Sequence, residues 1–475
     1  MGPRVVPVGF LALSLALTAC GSRLTHADVV AQQRFTQEAL AQDGVVGGSA
    51  AQADAQPLQA TGARAPVGGS SAPGTTGQSR QQAGASSSPG AGSVVAGVNA
   101  QGQSLGRSCP TPKSTIKLGH VGTYTGAAGT SYKGADVMAQ VWAKDVNARG
   151  GVSCHPVQIF VANDDGNPAR TKSIITDMVE NKGVIAFISP LLPLSLSGMT
   201  PYLEEHKIPA VGGDGLSGDW WQSPMLFPQT SYFADLAVDV ARISVRSYNK
   251  PKIGVFVCRE VPGCGEAKTI LTDPNNQKRG GYQVVNTADV SLTQPDFTAE
   301  CLSAQNAGAQ MLWLGLDAGS VSRVAHSCGS QNYFPLIGYV ATGLQLSLAD
   351  DPDIRDLASA SGVFPFISDD FPAAHDFQVA AKKYAPDLAL NGMAAQVWAG
   401  GKLFEYAARN LPDNPTSADI VAGLYTVNNE TLGGLVPPLT FTRGQLPGRS
   451  ACYFTLAIHA NKFATPAGTA ATCPS

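Results

Sequence analysis

From residue 116 onward the chain alternates short apolar runs with amphipathic stretches, and this alternation limits its possible folds more than any other feature. The run 116–121 reads as a strand. Over 134–148, Val137, Met138, Val141, Trp142 and Val146 recur at helical spacing. A strand at 157–161 precedes Asn167-Pro168, an N-cap followed by proline at the first helical position, and the helix so opened stops at Gly183. Strands at 184–188 and 208–211 flank a helix opened by Thr200-Pro201, and 233–245 reads as a further helix. A second series begins at 252–257 and passes through a helix at 266–271, a strand at 283–285, a helix at 296–306 and a strand at 311–314. A helix at 321–328 and a strand at 336–338 complete it. After an apolar stretch at 363–366 come helices near 373–384, 393–409 and 417–426, then β-like segments at 439–441 and 452–458. Strand–helix–strand repetition implies parallel sheets flanked by helices, and two series imply two lobes. The expected class is α/β.

The first hundred residues have a different texture. Arg4 precedes an apolar run, 5–17, too short for a comfortable membrane span. It ends in Leu17-Thr18-Ala19-Cys20-Gly21-Ser22, which resembles a bacterial lipobox. Residues 1–19 are then a leader and Cys20 the lipidated first residue, anchored to the outer face of the cell membrane; two or more acyl chains anchor stably. Residues 20–108 are rich in Ala, Gly, Ser, Gln and Pro, with Phe35 the sole aromatic and one short helix expected near 28–42. Such a composition cannot bury enough apolar surface to offset its ordering entropy, so it reads as a disordered tether.

Charge narrows the partners. The chain has 32 basic and 35 acidic side chains, so it is not a strongly electropositive nucleic-acid binder. Setting Cys20 aside, eight cysteines remain, an even number in an exported chain, which suggests four disulfides. Sequence does not fix their pairing, but placement favours neighbours. Cys109 and Cys154 each precede a strand, and those strands should be adjacent. Cys258 and Cys264 bracket a short loop, Cys301 and Cys328 sit on consecutive helices, and Cys452 with Cys473 would pin the C-terminal tail.

Catalytic signatures are missing: no phosphate loop, no GxSxG elbow, no HExxH pair. His120 at a strand end reads as structural. Asp164-Asp165-Gly166-Asn167 lacks the remaining ligands of a calcium loop and reads as turn and cap chemistry. No metal or cofactor is expected, and the chain is not expected to be an enzyme.

Several segments carry a resemblance: Gly122-Thr123-Tyr124-Thr125-Gly126, Tyr132-Lys133-Gly134-Ala135, 145–152, 163–168, Pro295-Asp296-Phe297-Thr298 and 433–444. In order and spacing they resemble type I solute-binding proteins of bacterial ABC importers, the branched-chain amino-acid-binding group. The resemblance implies a first lobe of 113–247 and 365–433, a second of 248–364 and 434–465, and a three-crossing hinge. A small molecule such as an amino acid, amide or organic acid would bind between the lobes and pass to importer permease subunits. The alternative is a clamshell receptor without a transport role. Loops at strand carboxyl ends and the family pattern nominate Tyr132, Ser195, Asp214, Trp220, Asp317 and Tyr339 as ligand-binding. Departures from the family stand beside them. Pro193 replaces a serine, Leu216 a threonine, Tyr339-Val340-Ala341 an acidic position, and Cys264 an aromatic, so Asp214, Asp317 or Glu266 becomes the relocated carboxylate. Trp142, Trp313 and Trp398 are core by periodicity.

Overall fold

The computed structural model describes residues 97–98, 104–105, 109 and 111–473, with 369–370 excepted. Cys20, the leader and nearly all of the tether lie outside them. Among the described residues no helix is long and apolar enough to cross a membrane.

The first sheet is five parallel strands: β1 (Ile116–Gly122), β2 (Val157–Asn163), β3 (Ala186–Ile188), β4 (Ala210–Val211) and β5 (Leu226–Phe227), in the order β2-β1-β3-β4-β5. Its connecting helices are α1 (Ala135–Ala148), α2 (Pro168–Glu180) and α3 (Leu196–His206). Asn167 caps α2 as its sequence announces, accepting from the Ala169 and Arg170 amides. Thr200-Pro201 does not open α3; the helix begins five residues before Pro201, which sits inside it. The proline-at-N1 rule misleads here.

Helix α4 (Phe233–Tyr248) leads to the second sheet. That sheet holds β6 (Lys252–Cys258), β7 (Gln283–Val290), β8 (Met311–Gly315), β9 (Leu336–Val340), β10 (Asp356–Ser361), β11 (Phe454–His459) and β12 (Lys462–Ala464). The order is β12-β11-β10-β9-β8-β6-β7, with only the β11 and β12 pairings antiparallel. Helices α5 (Pro262–Thr272), α6 (Pro274–Gly280), α7 (Thr298–Asn306) and α8 (Ala318–Gly329) flank it. Helices α9 (Pro372–Tyr384), α10 (Gly392–Ala407) and α11 (Ser417–Leu424) return to the first lobe, where α9 and α10 pack on α1. The strands β5, β10 and β12 and helix α6 have no counterpart in the sequence reading, and 439–441 forms only an isolated bridge from Leu439 to Glu430.

One boundary moves. Helix α4, assigned by the family pattern to the first lobe up to residue 247, packs on β9 and β10 of the second sheet. The first passage between sheets therefore lies before Phe233. A second follows β10 and a third precedes β11. The passages touch. The first is held to α10 of the first lobe by Gln229 Nε2, which donates to Gln396 Oε1 at 2.8 Å, and by Gln396 Nε2, which donates to Thr230 Oγ1 at 3.1 Å. The second meets the third where the Phe364 amide donates to the Leu435 carbonyl at 2.9 Å. Ser231 Oγ donates to the Cys452 carbonyl at 2.7 Å. A Cβ at Gly362 would lie 2.0 Å from Thr230 Oγ1, so only glycine permits this approach.

All four disulfides join sequential neighbours: Cys109–Cys154, Cys258–Cys264, Cys301–Cys328 and Cys452–Cys473. The first ties the starts of β1 and β2, which are adjacent and parallel. Trp142, Trp313 and Trp398 are buried, and Trp142 also joins a polar cluster. Its Nε1 donates to Glu405 at 3.1 Å, as do Arg149 Nη2 at 2.9 Å and Lys402 Nζ at 3.0 Å. Burial pushes the Glu405 carboxyl up, but Lys402 and Arg149 override it and hold it down to about 2.

A folded-state value below the unfolded one stabilises above the ordinary glutamate range and is lost as pH falls toward 2. Glu405→Gln should therefore cost about 2 kcal/mol at pH 7. In thermal unfolding, the gap between wild type and variant should narrow as pH drops through 4.5, the ordinary glutamate value, toward about 2. A gap independent of pH would contradict the ion-pair assignment.

Candidate functional site: an apolar cavity between the lobes

The strongest candidate site lies where both lobes meet. The cavity has a volume of about 70 Å³. The first lobe contributes Ala128, Ser131 and Tyr132 from the turn after β1, Leu216 from the loop after β4, and Met393 from α10. The second contributes the Cys258–Cys264 disulfide, residues 314–317 at the end of β8, Tyr339 and Val340 at the end of β9, and Thr342 and Gly343 just after it. Phe233, at the start of α4, completes the wall with Val261, Gly263 and Leu292. These positions are the carboxyl ends of parallel strands, where α/β proteins place ligands.

Three of the six nominated residues line this cavity: Tyr132, Asp317 and Tyr339. The Tyr132 hydroxyl is buried with no hydrogen-bond partner. Burial, reinforced by the Asp214 and Asp164 charges, raises its pKa well above the ordinary phenol value, so it remains a donor. Tyr339 is also held protonated, by burial and then the Asp317 charge, but its hydroxyl already donates to the Leu316 carbonyl at 3.0 Å. Asp317 is the N-cap of α8: it accepts from the Ser320 amide at 3.1 Å and the Ser320 hydroxyl at 2.5 Å.

The other three do not reach the cavity. Asp214 is enclosed in the first lobe, accepting from the Leu192 amide at 2.7 Å, the Leu216 amide at 3.0 Å and Trp220 Nε1 at 2.7 Å. Burial pushes its carboxyl up to about 6 against the pull of those donors. Trp220 is buried, so neither it nor Asp214 is free to receive a ligand. Ser195 donates to Asp164, which also accepts from Thr123 Oγ1 at 2.8 Å, Thr171 Oγ1 at 2.7 Å and the Gly166 amide at 2.8 Å. The 164–167 segment is thus turn and cap chemistry, and among the described residues no side-chain cluster could hold a metal. His120 is equally internal. Its Nδ1 bonds the Ile188 carbonyl at 2.8 Å, its Nε2 faces the Tyr124 hydroxyl, and burial lowers its pKa to about 4, leaving it neutral at pH 7.

Glu266 has a third role. It accepts from the Gly218 amide at 2.9 Å and from the Tyr232 hydroxyl, joining α5 to the first lobe's loop. Opposite, the Gly392 amide donates to the Leu344 carbonyl at 3.0 Å beside the Gln345–Asn391 bridge. The lobes therefore touch on both sides of the cavity. Met393, Phe233 and Leu292 were not readable as wall residues, because an apolar side chain at an element's end looks like core until the facing lobe is known.

A two-lobed α/β chain with a cavity at the strand ends, shared by both lobes, defines a ligand-binding clamshell. The chain belongs to the periplasmic binding protein family, whose model matches residues 115–455; this is a family of type I binding proteins, not enzymes. No curated protein sequence matches it. Among solved structures, a fatty acid ABC transporter substrate-binding protein from Thermomonospora curvata superposes with TM-score 0.62 at 17% identity, covering 76% of this chain and 93% of that one. A possible leucine/isoleucine/valine-binding protein from Rhodopirellula baltica gives 0.63 at 16%, covering 75% and 97%. A solute-binding protein from R. palustris in complex with benzoate gives 0.61 at 11%, covering 76% and 98%. At these identities the likeness is one of fold.

Ser195→Ala should lower thermal stability by about 1–2 kcal/mol, since it strips a hydroxyl donor from buried Asp164, yet leave ligand affinity within roughly twofold. Calorimetric binding that collapses while stability holds would return Ser195 to the site.

Proposed function

We propose that the protein is an extracytoplasmic, lipid-anchored solute-binding protein that captures a small molecule between its lobes and delivers it to an ABC importer. The observation that carries the reading is the cavity itself. Its walls come from both lobes, at the carboxyl ends of their parallel strands. Three adjacent passages between the lobes would let one rotate against the other, as in hinge closure around a ligand. Capture would need no bond to be made or broken; Tyr132, Ser131 and Thr342 line the first and second lobes' walls beside the solute, and the apolar walls exclude water.

The fatty acid, amino-acid and benzoate proteins it resembles bind different solutes on one scaffold, so the scaffold alone does not choose the ligand. Anchoring rests on the Leu17-Thr18-Ala19-Cys20 sequence, and the long Gly/Ser-rich segment behind it would give the clamshell reach toward a permease.

Native mass spectrometry of the full chain, purified from cells without unfolding, should show one small-molecule adduct that disappears on unfolding and refolding. Cys20→Ala should move the protein from the membrane fraction to the soluble fraction while the adduct persists. An adduct-free protein, stable alone and unshifted by cell extract, would remove the binding reading; membrane retention by Cys20→Ala would remove the anchor.

A further inference from the structure

We infer that Gly263 and Gly392 are the two points at which the lobes meet on closing, and that the lack of a side chain at each sets how long a solute is held. This rests on the solute-binding reading and deepens it. Each glycine lies in the first turn of a helix, Gly263 in α5 of the second lobe and Gly392 in α10 of the first. Each faces backbone of the opposite lobe. A Cβ at Gly263 would stand 2.3 Å from the Leu216 carbonyl oxygen. One at Gly392 would stand 1.9 Å from the Ala341 oxygen and 2.7 Å from that of Thr342. All three distances are far inside van der Waals contact, and backbone cannot swing aside as a flexible side chain can. Neither glycine has a positive φ. The local conformation would therefore admit alanine, and only the facing lobe excludes it.

The arrangement is reciprocal. The first turn of a helix carries the positive end of its dipole, which favours an approaching carbonyl oxygen. Leu216 brings such an oxygen from the first lobe to α5, and Ala341 and Thr342 bring theirs from the second lobe to α10. Polar bonds form once the backbones meet. One turn past Gly263, on the same face of α5, Glu266 accepts from the Gly218 amide at 2.9 Å and from the Tyr232 hydroxyl. The Gly392 amide itself donates to the Leu344 carbonyl at 3.0 Å. Leu216, Gly263, Thr342 and Met393 line the cavity, so parting either contact opens a wall. Gly265 supplies an internal control. It lies two residues further along α5, and a Cβ there would meet nothing within 4 Å.

The test follows, by native mass spectrometry after dilution, the small-molecule adduct carried by the full chain purified from cells without unfolding. Wild type and Gly265→Ala should lose the adduct at the same rate. Gly263→Ala and Gly392→Ala should lose it at least roughly tenfold faster, or leave the cells without it, because contacts made on closing act on release. Gly392 does not line the cavity, so faster loss there is not a methyl crowding the solute. Stripped of solute by unfolding and refolding, each variant should melt no lower than wild type. If a glycine variant fails to fold, Glu266→Ala, which only shortens a side chain, tests the α5 contact: several-fold faster loss is expected, and unchanged loss would contradict it. Equal adduct lifetimes in all the glycine variants, or a lower melting temperature with an unchanged lifetime, would overturn the inference and leave solute capture standing. A wild type that carries no adduct would remove the solute-binding reading, and this inference with it.

Discussion

The structure depends on three chain passages packed against one another between two sheets. Ser231 on the first passage bonds Cys452 on the third, Phe364 on the second bonds Leu435 on the third, and Gly362 on the second lies against Thr230 on the first. Because the passages are adjacent, the lobes share one pivot region, while their facing strand ends stay separated by a cavity. A bulkier residue at Gly362 would strike Thr230 and force the passages apart. The position of the cavity thus follows from how the passages pack, and its chemistry from the loops that the two sheets bring to it.

Within that frame, satisfied and unsatisfied polar groups divide the molecule. Inside the first lobe, Asp164 and Asp214 each gather three or more donors, and His120 is bonded at both nitrogens. Such closed networks shape the loops after β1, β2 and β4 and leave nothing for a ligand. At the cavity the polar groups are mixed. Tyr132 has lost water without gaining a partner, while Asp317 serves α8 and Tyr339 serves the loop beneath it.

This division explains how much the sequence disclosed. The α/β alternation, both parallel series and the disulfide neighbours were legible because apolar spacing and chain proximity are local properties. The two-residue β5 and the Ala/Ser-rich β10 were not, since Leu226–Phe227 and Asp356–Ser361 acquire strand character only from the sheet they join. The assignment of α4 to a lobe also depends on what it packs against. For the site, residue type and loop position nominated Asp214, Ser195 and Trp220 as readily as Tyr132, Asp317 and Tyr339. Sequence shows which side chains can bond a ligand; only the fold shows which have already bonded the protein.

Relative motion of the lobes is the most direct test of solute capture. Lys133 of the first lobe and Ser347 of the second are exposed at the rim of the same cleft. Spin labels at Lys133→Cys and Ser347→Cys, read by double electron–electron resonance, would report the gap between lobes in stripped and solute-loaded protein. A broad or long distance without solute that contracts to one short distance with it is the expected result. A distance that stays the same, with and without bound solute, would show that these lobes do not close around what they hold.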